Sequence, residues 1–225
     1  MIIVFDLDDT LYEEMAFVKS GYMAVSQYLE KKYGLPCEKS FYLMMDHTLN
    51  CGRNFVFNNL LDSYNLLNQR NLRLCIATYR SHKPTISLPQ ETLDLLARLN
   101  NIPLYVITDG NKKVQNNKVN TLGLFEKVKF CFITHRYGLK NSKPSPHCFL
   151  KICKNENAIP QKVVYIADNP HKDFVGIKPL GFRTVRILRG PYKNVKLDEK
   201  FEAEYNINSL SEINLNFLNQ LMGER

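Results

Sequence analysis

The sequence predicts an α/β protein: a Rossmann-like parallel sheet core with helices on both faces, interrupted by an inserted all-α block. Three observations predict this fold. The chain opens with a fully apolar run, residues 1–5, which is typical of a buried central strand. After residue 86, short apolar runs of strand type alternate strictly with helical patterns. Between these two parts, apolar residues recur only at helical spacing.

The alternating part carries local signals for where its helices begin and end. Gly123 follows the helical pattern of residues 111–122 in a C-cap position, and Pro146 lies in the first turn of the helix predicted for residues 145–157. Strands joined by helices in this way pair in parallel. The predicted elements are helix 90–99, strand 103–108, helix 111–122, strand 129–134, helix 145–157, strand 161–167, helix 170–178 and strand 182–188.

The inserted block divides the predicted core into two chain segments. We assign residues 1–12 and 86–225 to the α/β core with the catalytic site, and residues 13–85 to the helical block. Its predicted helices cover residues 14–33, 38–48, 55–67 and 70–79. An insertion after the first strand stands at the carboxyl end of that strand, where open α/β sheets bind ligands.

Composition excludes several classes of protein. The 225 residues are 44% hydrophobic and 23% charged, values of a soluble globular chain rather than a fibrous or disordered one. No apolar run approaches the roughly 18 residues that a membrane span needs, and the start does not resemble a signal peptide, so we expect a cytoplasmic protein without membrane contact. The six cysteines include no C-x-x-C pair, which argues against zinc.

The net charge of +8 is compatible with nucleic acid, an anionic membrane or phosphorylated metabolites. The basic residues form no continuous run, so we interpret the excess as solvated surface and expect no nucleic-acid partner. A nucleic-acid binder would instead show binding that weakens steeply with salt. The sequence leaves the oligomeric state open.

An acidic cluster directly follows the first strand. Asp6 and Asp8 are two residues apart, so their side chains can point the same way into the crevice at the strand end. Two adjacent carboxylates repel each other, and a cation offsets that repulsion. Mg²⁺ is a hard cation that prefers such oxygen ligands. A weak calcium loop or a simple helix cap remains the alternative for this segment alone.

Two further polar segments follow the pattern of apolar run and turn. Thr108, Asp109 and Gly110 end one strand and precede a helix, where a hydroxyl and free backbone N–H groups make an anion site. Lys143 stands next to Pro144, before the start of another helix. Taken singly, the first is equally compatible with an ordinary helix N-cap and the second with a surface lysine.

The fourth segment again places an acid at a strand end. Asp168 and Asn169 follow the strand of residues 161–167, and Asp173 lies about one turn further on. Helix capping would explain either acid alone. Four segments that deliver acids, a hydroxyl and a lysine to one edge of a sheet together predict a phosphate and metal site.

In all four motifs and their order, the sequence resembles the haloacid dehalogenase superfamily of phosphatases. The segment from Asp6 to Thr10 matches its D-x-D-x-T, Thr108 its strand-end hydroxyl, Lys143 with Pro144 its lysine motif, and Asp168 with Asp173 its terminal acids. The helical block resembles the small helical cap of that family, which follows the first motif. One mild departure is Ala167, where glycine is commoner.

The resemblance implies a role for each residue. Asp6 would be the nucleophile that forms an aspartyl-phosphate, and Asp8 the general acid and base. Thr108 would hold phosphoryl oxygens, and Lys143 would keep Asp6 ionised. The Asp6 carboxylate, the Asp8 backbone carbonyl and Asp168 would hold Mg²⁺. The remaining candidates are Thr10, Asp109 and Gly110 at the phosphate, and Asp173, which would orient Lys143, with Asn169 in support.

The presence of Asp8 favours a phosphatase over a dehalogenase, because a halide leaving group needs no proton. By analogy with small-capped relatives, we expect an Mg²⁺-dependent phosphomonoesterase acting on a small phosphorylated metabolite, a sugar or polyol phosphate first. The alternatives are a nucleotide or phosphoglycolate-type phosphatase, a sugar-phosphate mutase, and a retired ligand-binding protein. Arg80, His82 and Lys83 are predicted to contact the substrate or, alternatively, to attach the return linker to the core.

Overall fold

The computed structural model describes residues 1–223, whose core is one six-stranded parallel sheet. The strands are β1 (Ile2–Phe5), β2 (Leu104–Thr108), β3 (Phe130–Ile133), β4 (Val163–Ala167), β5 (Arg183–Ile187) and β6 (Tyr205–Ile207). Their order is β3-β2-β1-β4-β5-β6. This is the order of a doubly wound α/β sheet, so the predicted Rossmann-like fold class is confirmed.

Eight α-helices accompany the strands in the described part of the chain. They are α1 (Glu14–Tyr33), α2 (Cys37–Cys51), α3 (Val56–Asp62), α4 (Gln69–Ser81), α5 (Gln90–Arg98), α6 (Lys112–Thr121), α7 (His147–Asn155) and α8 (Leu215–Met222). Short 3₁₀ helices lie at Leu124–Glu126, Thr134–Tyr137, Leu139–Asn141, Pro160–Lys162, Lys178–Leu180, Gly190–Tyr192 and Leu210–Glu212. Among residues 1–223 no helix is both long and apolar enough to cross a membrane.

β1 has the position that its composition predicts. All four residues of Ile2–Phe5 are buried, and the strand pairs with β2 on one side and β4 on the other. Ile2 and Val4 pack on one face of the sheet with alternate residues of β2 and β4 and with Phe149 of α7. Because successive side chains alternate between faces, the buried Ile3 and Phe5 face the other side. A strand buried on both faces requires cover on both.

The strand order creates a switch point beside β1. From β1 the chain continues to β2 and β3 on one side, and then returns to β4 on the other. At such a point the loops after two neighbouring strands diverge and leave a crevice at the carboxyl ends of the strands. Asp6 follows β1 and Asp168 follows β4, so both acids stand at this crevice.

The contacts of the chain define two compact units. One is the α/β unit, Met1–Glu14 with the described residues from Ser87 onward, and the other is the helical unit, Met15–Ile86. The helical unit has its own core, to which α1 contributes Val18, Tyr22, Val25 and Leu29 at helical spacing. The Tyr22 hydroxyl is hydrogen-bonded to the Thr48 hydroxyl at 2.7 Å and ties α1 to α2.

Two parts of the fold differ from the sequence prediction. The helix predicted for residues 170–178 is wrong: the segment forms successive turns before the 3₁₀ helix Lys178–Leu180. Polar side chains compete there for the backbone, because Asn169 Oδ1 accepts from His171 N and Asp173 Oδ2 from Asn169 N. The prediction also missed two elements after Leu188: β6, which pairs with β5 at the edge of the sheet, and the helix α8.

Gly176 allows this turn segment to lie against the loop that carries Lys143. A Cβ atom at Gly176 would stand 1.7 Å from the backbone oxygen of Pro144, which no side chain can accommodate without backbone movement. The lack of a side chain at Gly176 therefore allows the two loops of the α/β unit to lie close together.

We expect Gly176→Ala to lower the free energy of unfolding by about 2 kcal/mol or more, as overpacking does. Thermal unfolding followed by circular dichroism measures the effect. Gly123→Ala is the control, because its φ of +63° disfavours alanine but no atom lies within 4 Å of the new Cβ. That variant loses about 1 kcal/mol from backbone strain alone. Equal losses in the two variants would show that the contact with Pro144 is unimportant.

Candidate active site

The carboxyl ends of three neighbouring strands bring the predicted motif residues of the α/β unit together. Thr108 is the last residue of β2, Asp6 follows β1 directly, and Asp168 follows β4 directly. All three are buried. β1 lies between the other two strands, so Asp6 stands at the centre of the group, and its backbone N–H donates to Ile166 O in β4 at 2.9 Å.

Lys143 links two acids of this group. Its Nζ lies 2.7 Å from Asp6 Oδ1 and 2.7 Å from Asp173 Oδ1, and it donates to the Tyr165 hydroxyl at 2.9 Å. Tyr165 in turn donates to Asp173 Oδ1 at 3.0 Å. The Lys143 side chain is 1% exposed, so these contacts replace its hydration. Burial alone would lower the pKa of Lys143, but Asp173 and Asp6 raise it well above its usual value.

Three carboxylates converge at the same point. Oxygens of Asp6, Asp168 and Asp173 all lie within 4.8 Å of one another, and all three residues are buried. Burial raises the pKa of Asp6 to about 6, with Lys143 opposing the rise and Asp173 adding to it. Burial and the carboxylates of Asp6 and Asp173 raise the pKa of Asp168 to about 9. Such a set of crowded oxygen donors fits a hard divalent cation.

Asp8 lies apart from this cluster and has donors of its own. Its Oδ1 accepts from the Tyr12 hydroxyl at 2.6 Å and from Lys118 Nζ at 2.7 Å, and its Oδ2 accepts from Gln115 Nε2 at 2.9 Å. Burial favours the neutral carboxyl group, but Lys118 and the hydrogen bonds outweigh it and lower the pKa of Asp8. In this arrangement the side chain is a carboxylate, and the assignment of its backbone carbonyl to a metal stays a prediction.

The turn after β2 provides a hydroxyl and a tight backbone. Thr108 Oγ1 accepts from Gln115 Nε2. Gly110 has a φ of +135°, which favours glycine, and a Cβ there would stand 3.2 Å from the Gln115 side chain. Asn111 caps α6 by accepting from Lys113 N at 3.0 Å. This turn therefore leads from the end of β2 into a capped helix.

Asp109 was predicted at the phosphate, and its side chain has a different use. Its Oδ1 accepts from the Thr134 hydroxyl at 2.5 Å and from Lys143 N at 3.1 Å, and its Oδ2 lies 3.5 Å from Lys172 Nζ. Burial would raise its pKa, but Lys143 and Lys172 lower it. The carboxylate thus anchors the Lys143 loop, and the assignment of Asp109 to the phosphate stays a prediction.

Thr10 and Asn169 are also buried in the α/β unit. Among the described residues, the Thr10 hydroxyl has no hydrogen-bond partner, so its assignment to the phosphate stays a prediction. Asn169 shapes the turn after β4, where its side chain accepts from His171 N at 3.0 Å. This contact agrees with a supporting role.

The helical unit holds the three remaining candidates. Arg80 and Lys83 are exposed. The His82 ring is hydrogen-bonded on both nitrogens, through Nδ1 to Tyr79 O at 2.6 Å and through Nε2 to Ser20 Oγ at 3.1 Å. Burial lowers the pKa of His82. The assignment of these residues to the substrate stays a prediction.

Sequence reasoning missed five residues that contact the motif side chains. Gln115 and Lys118 lie three positions apart on α6, so the buried polar pair on one helix face was a signal that could have been read. Tyr165 and Tyr12 looked like ordinary core residues. Lys172, whose Nζ lies 3.5 Å from Asp109 Oδ2, stood in a segment that was interpreted as helix.

Comparison with known proteins adds independent evidence. A family model described as haloacid dehalogenase-like hydrolase matches residues 3–187. A glyceraldehyde 3-phosphate phosphatase of Methanocaldococcus jannaschii is 31% identical over 221 residues, which cover 94% of both chains. A glyceraldehyde 3-phosphate phosphatase of Pyrococcus furiosus is 28% identical over 222 residues, covering 94% of this chain and 90% of that one.

Solved structures agree with the fold. A HAD-hydrolase from Bacillus subtilis superposes with a TM-score of 0.66 at 19% identity, covering 98% of this chain and 97% of that one. A 2-haloacid dehalogenase from Pseudomonas syringae pv. Tomato superposes with a TM-score of 0.65 at 20% identity, covering 99% of each chain. At these identities the likeness concerns the fold alone.

The raised pKa of Asp168 predicts how stability depends on pH in the presence of a chelator. The folded chain keeps a proton up to about pH 9 that the unfolded chain releases near its ordinary value of 3.8. Because the folded state then binds more protons, stability falls as pH rises through this window. We expect Asp168→Asn, which cannot ionise, to flatten the fall of the melting temperature between pH 5 and pH 8.5.

Melting temperatures measured with EDTA across this range check the prediction. Asp198→Asn, at an exposed acid, is the matched control and is expected to follow the wild type. If Asp168→Asn follows the wild-type slope as well, burial and the neighbouring carboxylates do not raise the pKa of Asp168.

Proposed function

The chain belongs to the haloacid dehalogenase-like hydrolase family and is a phosphatase, and from this premise we propose that it hydrolyses a small phosphorylated aldehyde or sugar. The family resemblance drawn from the motifs is thereby confirmed. Glyceraldehyde 3-phosphate is the first candidate substrate, because two relatives that carry the name of its phosphatase align along nearly the whole chain.

One observation carries the proposed chemistry: Asp6 and Asp8 stand in two different environments, two residues apart. Asp6 is paired with Lys143 beside two more carboxylates, whereas Asp8 is held by Lys118, Gln115 and Tyr12. Two carboxylates in distinct surroundings suit two distinct tasks. We assign nucleophilic attack to Asp6 and proton transfer to Asp8.

The first half-reaction transfers the phosphoryl group to the enzyme. An Asp6 carboxylate oxygen attacks phosphorus and forms an O–P bond, while the bond from phosphorus to the alcohol oxygen breaks. Because its pKa is lowered in the free site, Asp8 must take up a proton before this step, and it then gives that proton to the departing alkoxide. Lys143 stabilises Asp6 as the carboxylate that this attack requires. Thr108 and the backbone N–H groups of the following turn are assigned to the phosphoryl oxygens.

The second half-reaction regenerates the enzyme. Asp8 now takes a proton from a water molecule, whose oxygen attacks phosphorus as the bond to Asp6 breaks. Asp6 returns as a carboxylate, inorganic phosphate is released, and Asp8 holds the proton for the next turnover. The primary alcohol of glyceraldehyde 3-phosphate is a poor leaving group, so the proton that Asp8 gives in the first half-reaction is essential for such a substrate.

We assign Mg²⁺ to Asp6, Asp168 and the backbone carbonyl of Asp8. The crowded carboxylates and the raised pKa of Asp168 fit a cation at this point. Asp173 is better suited to orienting Lys143, from which it lies 2.7 Å. When bound, Mg²⁺ supplies positive charge that offsets the carboxylates and the phosphoryl oxygens.

The purified chain should release inorganic phosphate from glyceraldehyde 3-phosphate in the presence of Mg²⁺. Turnover should vanish with EDTA and return when Mg²⁺ is restored, because the metal offsets the repulsion between substrate and acids. A panel of sugar, polyol, glycolate and nucleoside phosphates measured beside it tests the substrate class. A clear preference for nucleoside phosphates would contradict the proposed substrate, and undiminished turnover in EDTA would contradict the metal assignment.

Asp6→Asn should lose all measurable turnover on every ester of the panel, because an amide cannot form the phosphoryl–enzyme bond. Circular dichroism should show an unchanged fold, since the two side chains have the same shape. Mass spectrometry of the wild type quenched during turnover should place the added phosphoryl mass on the peptide that contains Asp6. Phosphoryl mass on a different residue would contradict the assignment of Asp6 as the nucleophile.

A further inference from the structure

Lys118 is a buried cation in the α/β unit that the four motifs do not include. Its side chain is 3% exposed, and its Nζ lies 2.7 Å from Asp8 Oδ1 and 3.6 Å from Glu14 Oε1. Burying an ammonium group is costly unless anions and hydrogen bonds replace its water. The position of Lys118 in the last turn of α6 therefore needs an explanation in the chemistry of its neighbours.

Three donors from two segments fix the Asp8 carboxylate. The hydroxyl of Tyr12 and the ammonium of Lys118 both reach Oδ1, and the amide of Gln115 reaches Oδ2. We call these three residues the Asp8 clamp. Rotation of the Asp8 side chain away from the observed position would break all three contacts at once. The clamp thus defines where the two carboxylate oxygens stand.

The clamp also connects Asp8 to the turn after β2. Gln115 Nε2 donates to Thr108 Oγ1 as well as to Asp8 Oδ2. α6 begins just after that turn, with Asn111 as its cap. One rigid helix therefore sets the Asp8 carboxylate relative to the hydroxyl that is assigned to the phosphoryl group.

We propose that Lys118 is a positioning residue, which acts through the Asp8 clamp to hold the Asp8 carboxylate in line for proton transfer with the leaving oxygen of the substrate. This inference rests on the proposed function. Proton transfer is sensitive to the distance and direction between the two oxygens, so a loosened carboxylate transfers its proton less often. Lys118 itself touches no reacting atom in this role.

A purely structural ion pair is the alternative, in which Lys118 only fastens α6 to the segment after β1. The two roles predict different losses. A structural defect lowers turnover of all substrates alike or lowers the melting temperature. A positioning defect slows the first half-reaction, and so lowers kcat/KM, for esters whose leaving group needs a proton, and it spares that step for esters whose leaving group does not. The second half-reaction also uses Asp8 but is common to all esters, so kcat alone does not separate the two roles.

The test compares kcat/KM, which reports the steps up to departure of the leaving group, for an alkyl phosphate, glyceraldehyde 3-phosphate, and for 4-nitrophenyl phosphate, whose leaving group departs without a proton. We expect Lys118→Met to lower kcat/KM on the alkyl ester roughly 10-fold or more, within the range of general acid catalysis. On the aryl ester it should lose only a few-fold. Lys118→Arg, which keeps a charged donor, should recover part of the alkyl activity. Lys113→Met, at an exposed lysine of the same helix, should match the wild type on both esters.

The remaining variants separate the possible failures. Asp8→Asn calibrates the assay, because it must show the same selective loss if Asp8 is the acid. Tyr12→Phe removes one hydroxyl from the clamp and keeps the aromatic ring. It tests the positioning role if Lys118→Met fails to fold. Equal losses on the two esters, or none, in these clamp variants would overturn the positioning role while wild-type turnover upholds the phosphatase. Absence of wild-type turnover on both esters would overturn the proposed function and this inference with it.

Discussion

A single buried ammonium organises the carboxyl edge of the sheet. Asp6, Asp168 and Asp173 crowd together out of water, and Lys143 is the cation among the described side chains that contacts two of them. Its position depends in turn on the surrounding fold. Asp109 holds the Lys143 backbone, and Tyr165 projects from β4 to its ammonium. The loops therefore cannot shift independently without separating buried charges, which is strongly destabilising.

A second lysine repeats this arrangement for the neighbouring acid. Lys118 faces Asp8 as Lys143 faces Asp6, but Asp8 is not a member of the cluster of Asp6, Asp168 and Asp173, and it has two additional neutral donors. The pKa values of the two acids therefore shift in opposite directions, raised to about 6 for Asp6 and lowered for Asp8. Equal side chains two positions apart acquire unequal chemistry from what is packed around them.

The sequence predicted the fold class and the motif residues because both depend on local pattern. An apolar strand followed by acids, as at Ile2–Phe5 and Asp6, can be predicted from a few consecutive residues. The contacts of Tyr165 and Lys118 could not be predicted in this way, because they join segments that are far apart in the chain. The turns after Asn169 were mistaken for a helix because side-chain hydrogen bonds, not apolar spacing, decide the backbone there. The sequence did not predict β6 because this strand has three residues, of which only Ile207 is buried.

The helical unit closes on itself where the chain enters and leaves it. Ser20 near the start of α1 accepts from Thr85 N at 2.8 Å and bonds to His82, so the two chain ends of the unit are joined by its own atoms. Gly21 leaves room there for the Tyr79 ring. A segment with its own core, and with its two ends held together by Ser20, can change in its helices while the entry and exit of the chain stay in place.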